Sequence, residues 1–80
     1  MQIKNLKFEG VFEIILDPKE DPRGFFMRTY DVNIFQQLNL NKEWVQENHS
    51  FSKEKGIVRG LHFQFSPYSE TKLVRVSSGE

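Results

Sequence analysis

Gly56-Ile57-Val58-Arg59-Gly60-Leu61-His62-Phe63-Gln64-Phe65 is the stretch on which the reading of this chain turns. Branched and aromatic apolar residues predominate, as in a strand packed on a pleated surface, and the segment follows the small charged cluster Lys53-Glu54-Lys55-Gly56, which reads as a solvated hairpin turn. A strictly alternating strand sends Arg59 and His62 to opposite faces. Gly60 lies between them, where a bulge or kink costs least, so an irregularity is expected there.

Working back along the chain, Val45 to Ser52 alternates Gln46, Asn48, Ser50 and Ser52 with Val45, Glu47, His49 and Phe51, which leaves one face wholly polar. Two readings fit this row. It is an edge strand showing amides and hydroxyls to water, or it lines a wet cavity where amides bind a sugar or a base edge. Val11 to Leu16 reads as a strand, Asp17-Pro18-Lys19-Glu20-Asp21-Pro22-Arg23-Gly24 as a loop broken by prolines and glycine, and Phe25 to Tyr30 as a further strand. Asp31 is placed to cap a short helix over about 31–39 that buries Ile34, Phe35 and Leu38, with Asn39 and Asn41 ending it. Thr71 to Val76 is the last expected strand.

Eighty residues allow one small domain at most, and a chain this short buries only about 60% of the surface that its unfolded form exposes. There is no cysteine, so disulfides and thiolate metal sites are excluded. Eight phenylalanines, two tyrosines and one tryptophan point to a packed core rather than to disorder. Eleven basic and eleven acidic side chains balance, so no net field favours nucleic acid or an anionic membrane, and recognition of an anion must be local. No stretch is apolar and long enough to span a bilayer, and the N-terminus carries no signal-peptide pattern; a cytoplasmic protein is expected.

The chemistry-bearing residues gather around His62. A histidine titrates near neutral pH and can take up and return protons, while the ammonium of Lys72 is suited to stabilising an oxyanion formed when that base removes a proton next to a carbonyl. The bland alternatives are a satisfied half-buried histidine and a surface lysine on an edge strand. Arg23, between Pro22 and Gly24, is either an exposed loop arginine or a fork for phosphate oxygens. Histidines two apart often bind metal in β-barrel enzymes, but the position two beyond His62 is Gln64, and His49 is the only other histidine; no metal centre is expected. No nucleophile-elbow, Walker or dinucleotide-binding run is present.

Four blocks in order, Asp21-Pro22-Arg23-Gly24-Phe25-Phe26, Gln46 to Ser52, Arg59 to Gln64 and Lys72-Leu73-Val74-Arg75-Val76, resemble the dTDP-4-dehydrorhamnose 3,5-epimerases. The resemblance implies a mostly β fold, an incomplete portion of a cupin-like β-barrel or jelly roll with one short helix near 31–39, the whole of residues 1–80 forming a single partial domain. Members of that family are longer, so this chain resembles their N-terminal half, and it stops inside a strand-turn pattern at Ser78-Gly79-Glu80.

What the resemblance implies about function is specific. His62 is the base that removes protons at C3 and C5 of a nucleotide-linked 4-keto-6-deoxyhexose, and Lys72 stabilises the enolate. Arg59 contacts the nucleotide-sugar near its diphosphate or hexose, and Arg23, Phe26, Gln46 and Asn48 hold the nucleotide. The chemistry needs no metal or other cofactor, and the implied assembly is a homodimer through N-terminal strands, with a dTDP-4-keto-6-deoxyhexose-type substrate as partner. The alternative is a sugar-nucleotide-binding or 3,4-ketoisomerase-type cupin; a 3,4-ketoisomerase is expected to carry a histidine at position 64, so Gln64 favours the epimerase reading. Arg28 stands where the family usually has glutamate, leaving the nucleobase open. The family's histidine-orienting aspartate and proton-delivering tyrosine lie in its second half, so the 80 residues by themselves are expected to be inactive or nearly so, or to serve only as a truncated structural domain.

Overall fold

The computed structural model describes residues 1–40 and 43–79. They fall into two compact units, Met1–Asn41 and Lys42–Glu80.

In the first unit, β1 (Gln2–Asn5) pairs antiparallel with β2 (Phe12–Ile15), Ile3 opposite Ile14 and Lys4 opposite Glu13. The period of two explains the register, since it stacks the isoleucines on the half-buried face and sets opposite charges across from each other on the exposed one. β2 is the strand expected over Val11 to Leu16, trimmed at each end; β1 was not anticipated.

The loop expected over Asp17 to Gly24 requires correction. Its centre is a tight hairpin, β3 (Lys19–Asp21) paired with β4 (Gly24–Phe26). The residues read as breakers are those that make the turn. Pro22 arrives with φ already set, the Asp21 carboxylate accepts the Arg23 backbone N–H at 2.8 Å, and Gly24 takes φ +135°, a conformation costly for any side chain. The strand expected over Phe25 to Tyr30 is correspondingly shortened to β4, because β3 offers only three residues to pair with.

Helix α1 (Val32–Gln37) forms where expected. Asp31 is extended, and its carboxylate accepts from the backbone N–H groups of Asn33 (2.9 Å) and Ile34 (3.3 Å), satisfying donors that have no partner within the helix. At the other end Asn39 enters the left-handed region at φ +56°, the Leu40 N–H returns to the Phe35 carbonyl at 2.8 Å and the Asn39 N–H to that of Gln36 at 3.1 Å, a Schellman closure. Asn41, expected to help end the helix, lies outside the described residues. Phe35 is 2% exposed and meets the Tyr30 ring edge-on at 4.8 Å. Ile34 is half-buried, whereas Leu38, expected inside, is exposed.

In the second unit the described residues form turns and extended segments, without paired strands. The strands expected over 45–52, 56–65 and 71–76 are therefore corrected. A strand is stabilised by a ladder partner and by an apolar face covered from above, and neither is present. Val58 is 90% exposed, Phe63 74% and Phe65 78%. The aromatic load likewise fails to build the expected core: Phe35 is the one buried hydrophobic residue among those described. Two sequence expectations hold here. The chain turns at 54–56, and Gly60 departs from strand geometry with φ +118°. The regular structure as a whole is mostly β with one short helix, in small antiparallel sheets consistent with an incomplete cupin-like fragment.

Candidate active site

The turn at 66–68, closed by the Tyr68 N–H on the Phe65 carbonyl at 2.8 Å, folds the segment carrying His62 back toward the segment carrying Lys72. Lys72 Nζ donates to the backbone carbonyl of His62 at 3.3 Å and lies 3.7 Å from Glu70 Oε1. The Gln64 side-chain amide faces the same carboxylate, and the amide orientation that satisfies both groups, nitrogen toward Glu70, brings that nitrogen to 3.2 and 3.3 Å from the two Glu70 oxygens. Both cross-turn pairs, 62 with 72 and 64 with 70, are centred on Pro67, the register of a hairpin without its ladder. The Lys72 and Glu70 side chains are 46% and 53% exposed.

Arg59 engages a different part of the unit. Across the 54–56 turn its guanidinium donates through Nε to Ser52 Oγ at 3.1 Å and through a terminal nitrogen to the Phe51 carbonyl at 2.9 Å. Arg59 is thus committed to Phe51 and Ser52. Asn48 lines an open cleft with His49, Ser50 and the run Leu73–Ser78; His62, Lys72, Gln46 and Arg59 do not line it. Gln46 is exposed, and the two-faced alternation over 45–52 is not realised, because both faces meet solvent.

Arg23 and Phe26 belong to the first unit, on the β3–β4 hairpin. Arg23 forks onto Asp21, its terminal nitrogen 2.7 Å from Oδ2 and Nε 3.4 Å from Oδ1. That pairing, together with the backbone hydrogen bond from Arg23, holds the Asp21 carboxyl below its ordinary range, and Asp21 raises the already high Arg23. The Arg23 side chain is 90% exposed, with its Nε edge engaged by the Asp21 carboxylate. Asp17 is lowered in the same way by the hydrogen bond and charge of Lys19, at 2.7 Å. Phe26 is exposed.

Sequence reasoning passed over Asp21 and Glu70, each an acid two residues before a base of interest. The signal was present as Asp21-Pro22-Arg23 and Glu70-Thr71-Lys72, each an acid two residues before a base. Among the described residues no group of three or more histidines and carboxylates could hold a metal ion, and no helix is long and apolar enough to cross a membrane.

The family model described as dTDP-4-dehydrorhamnose 3,5-epimerase matches residues 5–80. The chain belongs to the dTDP-4-dehydrorhamnose 3,5-epimerase family. It is 47% identical over 70 residues to the dTDP-4-dehydrorhamnose 3,5-epimerase of Shigella flexneri, covering 84% of this chain and 38% of that protein. Its identity to the dTDP-4-dehydrorhamnose 3,5-epimerase of Escherichia coli (strain K12) is 42% over 82 residues, covering 99% and 43%. A dTDP-4-dehydrorhamnose 3-epimerase from Streptomyces niveus is 36% identical over 80 residues, covering 99% and 38%. The chain thus spans about two fifths of the length of these epimerase-family relatives. No solved structure shows a significant match.

Proposed function

We propose that the protein is an epimerase acting on a dTDP-linked 4-keto-6-deoxyhexose, with His62 as base and Lys72 as the partner of the enolate. The observation that carries this reading is the family match over residues 5–80, which includes His62 and Lys72, joined at 3.3 Å through the His62 carbonyl. In the proposed step the His62 imidazole takes the proton from a carbon next to the C4 ketone. The C–H electron pair becomes the enolate double bond, and the carbonyl π pair moves to oxygen, where the Lys72 ammonium meets the negative charge. Return of a proton to the opposite face inverts the centre. The ketone already acidifies its neighbouring C–H bonds, so the reaction asks for a base and an oxyanion partner and no cofactor.

Arg23, Phe26, Gln46 and Asn48 are proposed to hold the nucleotide part, a reading supported for Arg23 and Phe26 by their exposure on one hairpin, and Arg59 to contact the nucleotide-sugar near its diphosphate or hexose. The cupin-type barrel, the homodimer through N-terminal strands and the cytoplasmic location belong to the same proposal, carried by the family resemblance. The two-stranded sheets support the dimer in one respect, since every strand in them has an open edge able to pair. The 80 residues alone are proposed to be inactive, in keeping with the exposed apolar side chains around His62.

Incubating the complete protein with a dTDP-4-keto-6-deoxyhexose in D2O tests the reading: deuterium enters at C3 and C5, and His62→Ala abolishes it. A protein that takes up no label from solvent is not an epimerase of this kind. The Streptomyces niveus relative, named as a 3-epimerase, supports a second reading in which C3 alone is inverted. Label confined to C3 in the same assay identifies that case.

A further inference from the structure

Lysine is a point charge on a flexible four-carbon stem and does not hold a position unless other groups hold it. Lys72 Nζ is placed between two acceptors, the His62 carbonyl at 3.3 Å and Glu70 Oε1 at 3.7 Å. The second of these faces the Gln64 amide from across the turn at Pro67, and with the amide nitrogen turned toward it, the orientation that satisfies both groups, Gln64 donates to the Glu70 carboxylate and tethers it. Four residues on one face of a hairpin-like fold therefore form a chain that runs from Gln64 through Glu70 to Lys72 and back to the main chain of His62.

We propose that Glu70, anchored by Gln64, is a positioning residue for Lys72, holding the ammonium beside His62 so that it meets the charge developing on the substrate oxygen. The inference rests on the reading of Lys72 as the enolate partner. Glu70 does not touch the substrate. It acts by limiting where the ammonium goes, the 3.7 Å separation leaving Lys72 charged and its remaining N–H donors free for a substrate oxygen.

The test compares Glu70→Ala, Glu70→Gln, Glu70→Asp and Lys72→Ala in the complete protein, with deuterium uptake into a dTDP-4-keto-6-deoxyhexose and steady-state constants as readouts. Glu70→Ala is expected to lower kcat roughly three- to tenfold with KM nearly unchanged, the range set by an exposed ion pair that also sets geometry. Glu70→Gln, which keeps size and loses charge, shows a similar fall in kcat, and Glu70→Asp recovers part of it. Relaxation of a carbon-13 label at Lys72 Cε reports faster motion in Glu70→Ala. If Lys72→Ala abolishes exchange while both Glu70→Ala and the isosteric Glu70→Gln turn over like the parent, the positioning role is overturned and the enolate reading stands. If Lys72→Ala retains full exchange, the enolate reading falls and the positioning role goes with it. A variant of Glu70 that loses Tm but keeps kcat in its folded fraction also overturns the role, because it assigns Glu70 to stability alone.

Discussion

The ammonium of Lys72 donates to the backbone carbonyl of His62 at 3.3 Å, across a turn centred on Pro67. The contact is to the main chain of the histidine, so it fixes the lysine beside position 62 without consuming either ring nitrogen.

Substituting the two residues separates their proposed roles. Loss of the imidazole in His62→Ala is expected to lower kcat by about 10²–10⁴, the usual worth of a general base. Lys72→Met, which keeps the stem and removes the charge, is expected to cost about 10²–10³ in kcat. Solvent-deuterium exchange in the complete protein checks both, and a Lys72→Met enzyme that exchanges at the parent rate refutes the oxyanion role.

The Arg23 fork predicts a binding defect rather than a chemical one. Arg23→Ala is expected to raise KM for the nucleotide-sugar about tenfold or more with kcat little altered, and Arg23→Lys to restore little, since an ammonium lacks the planar pair of donors. Calorimetric titration with dTDP reads the same loss without turnover. Equal dTDP affinity in the parent and in Arg23→Ala would remove this residue from the site.

Acid should loosen the β3–β4 hairpin. The hydrogen bonds of Arg23 lower the Asp21 carboxyl from its ordinary 3.8. The folded value therefore lies below the unfolded one. Asp21's contribution is present in full above the ordinary carboxylate range and is lost as pH falls through the lower folded value. A carbon-13 titration of the Asp21 carboxyl is expected to give a midpoint below 3.8, with the Arg23 amide signal moving in step. Asn at position 21 abolishes that coupled movement. A midpoint at or above the ordinary value contradicts the hairpin geometry.

The two ends of α1 make opposite demands on side chains. Asp31→Ala removes the acceptor for two backbone N–H groups and is expected to cost about 1 kcal/mol, most of which Ser restores. At Asn39, where φ is +56°, Gly is tolerated or mildly stabilising, while Val costs about 1–2 kcal/mol. Denaturant unfolding of the complete protein checks the order. A Val variant as stable as the Gly variant rules out the left-handed closure.

Much of the first unit was legible because its signals are local. Asp31 caps a helix through backbone groups two and three residues away, Asn39 closes it over one turn, and the β-branched run at Phe12–Ile15 needs only the short return from β1 to find a partner. The hairpin at Asp21–Gly24 was misread as a loop because proline and glycine mark both, and the deciding hydrogen bond, from Arg23 N–H to Asp21, is a matter of geometry. The family was legible, since the motif blocks around His62 and Lys72 resemble the family to which the chain belongs.

By itself the amino-acid sequence determined the motif blocks that mark the family, where the helix is capped, where the chain turns at 54–56 and that Gly60 departs from strand geometry. The tertiary structure decided which groups meet: that Lys72 reaches the main chain of His62, that Glu70 is tied to Gln64, that Arg59 turns to Phe51 and Ser52, and that the apolar faces of 56–65 and 71–76 stay uncovered. The physical reason is range. Caps and turns are settled by atoms a few bonds apart, whereas a strand exists only when another segment accepts its hydrogen bonds and covers its apolar face, and no count of alternating residues supplies that partner.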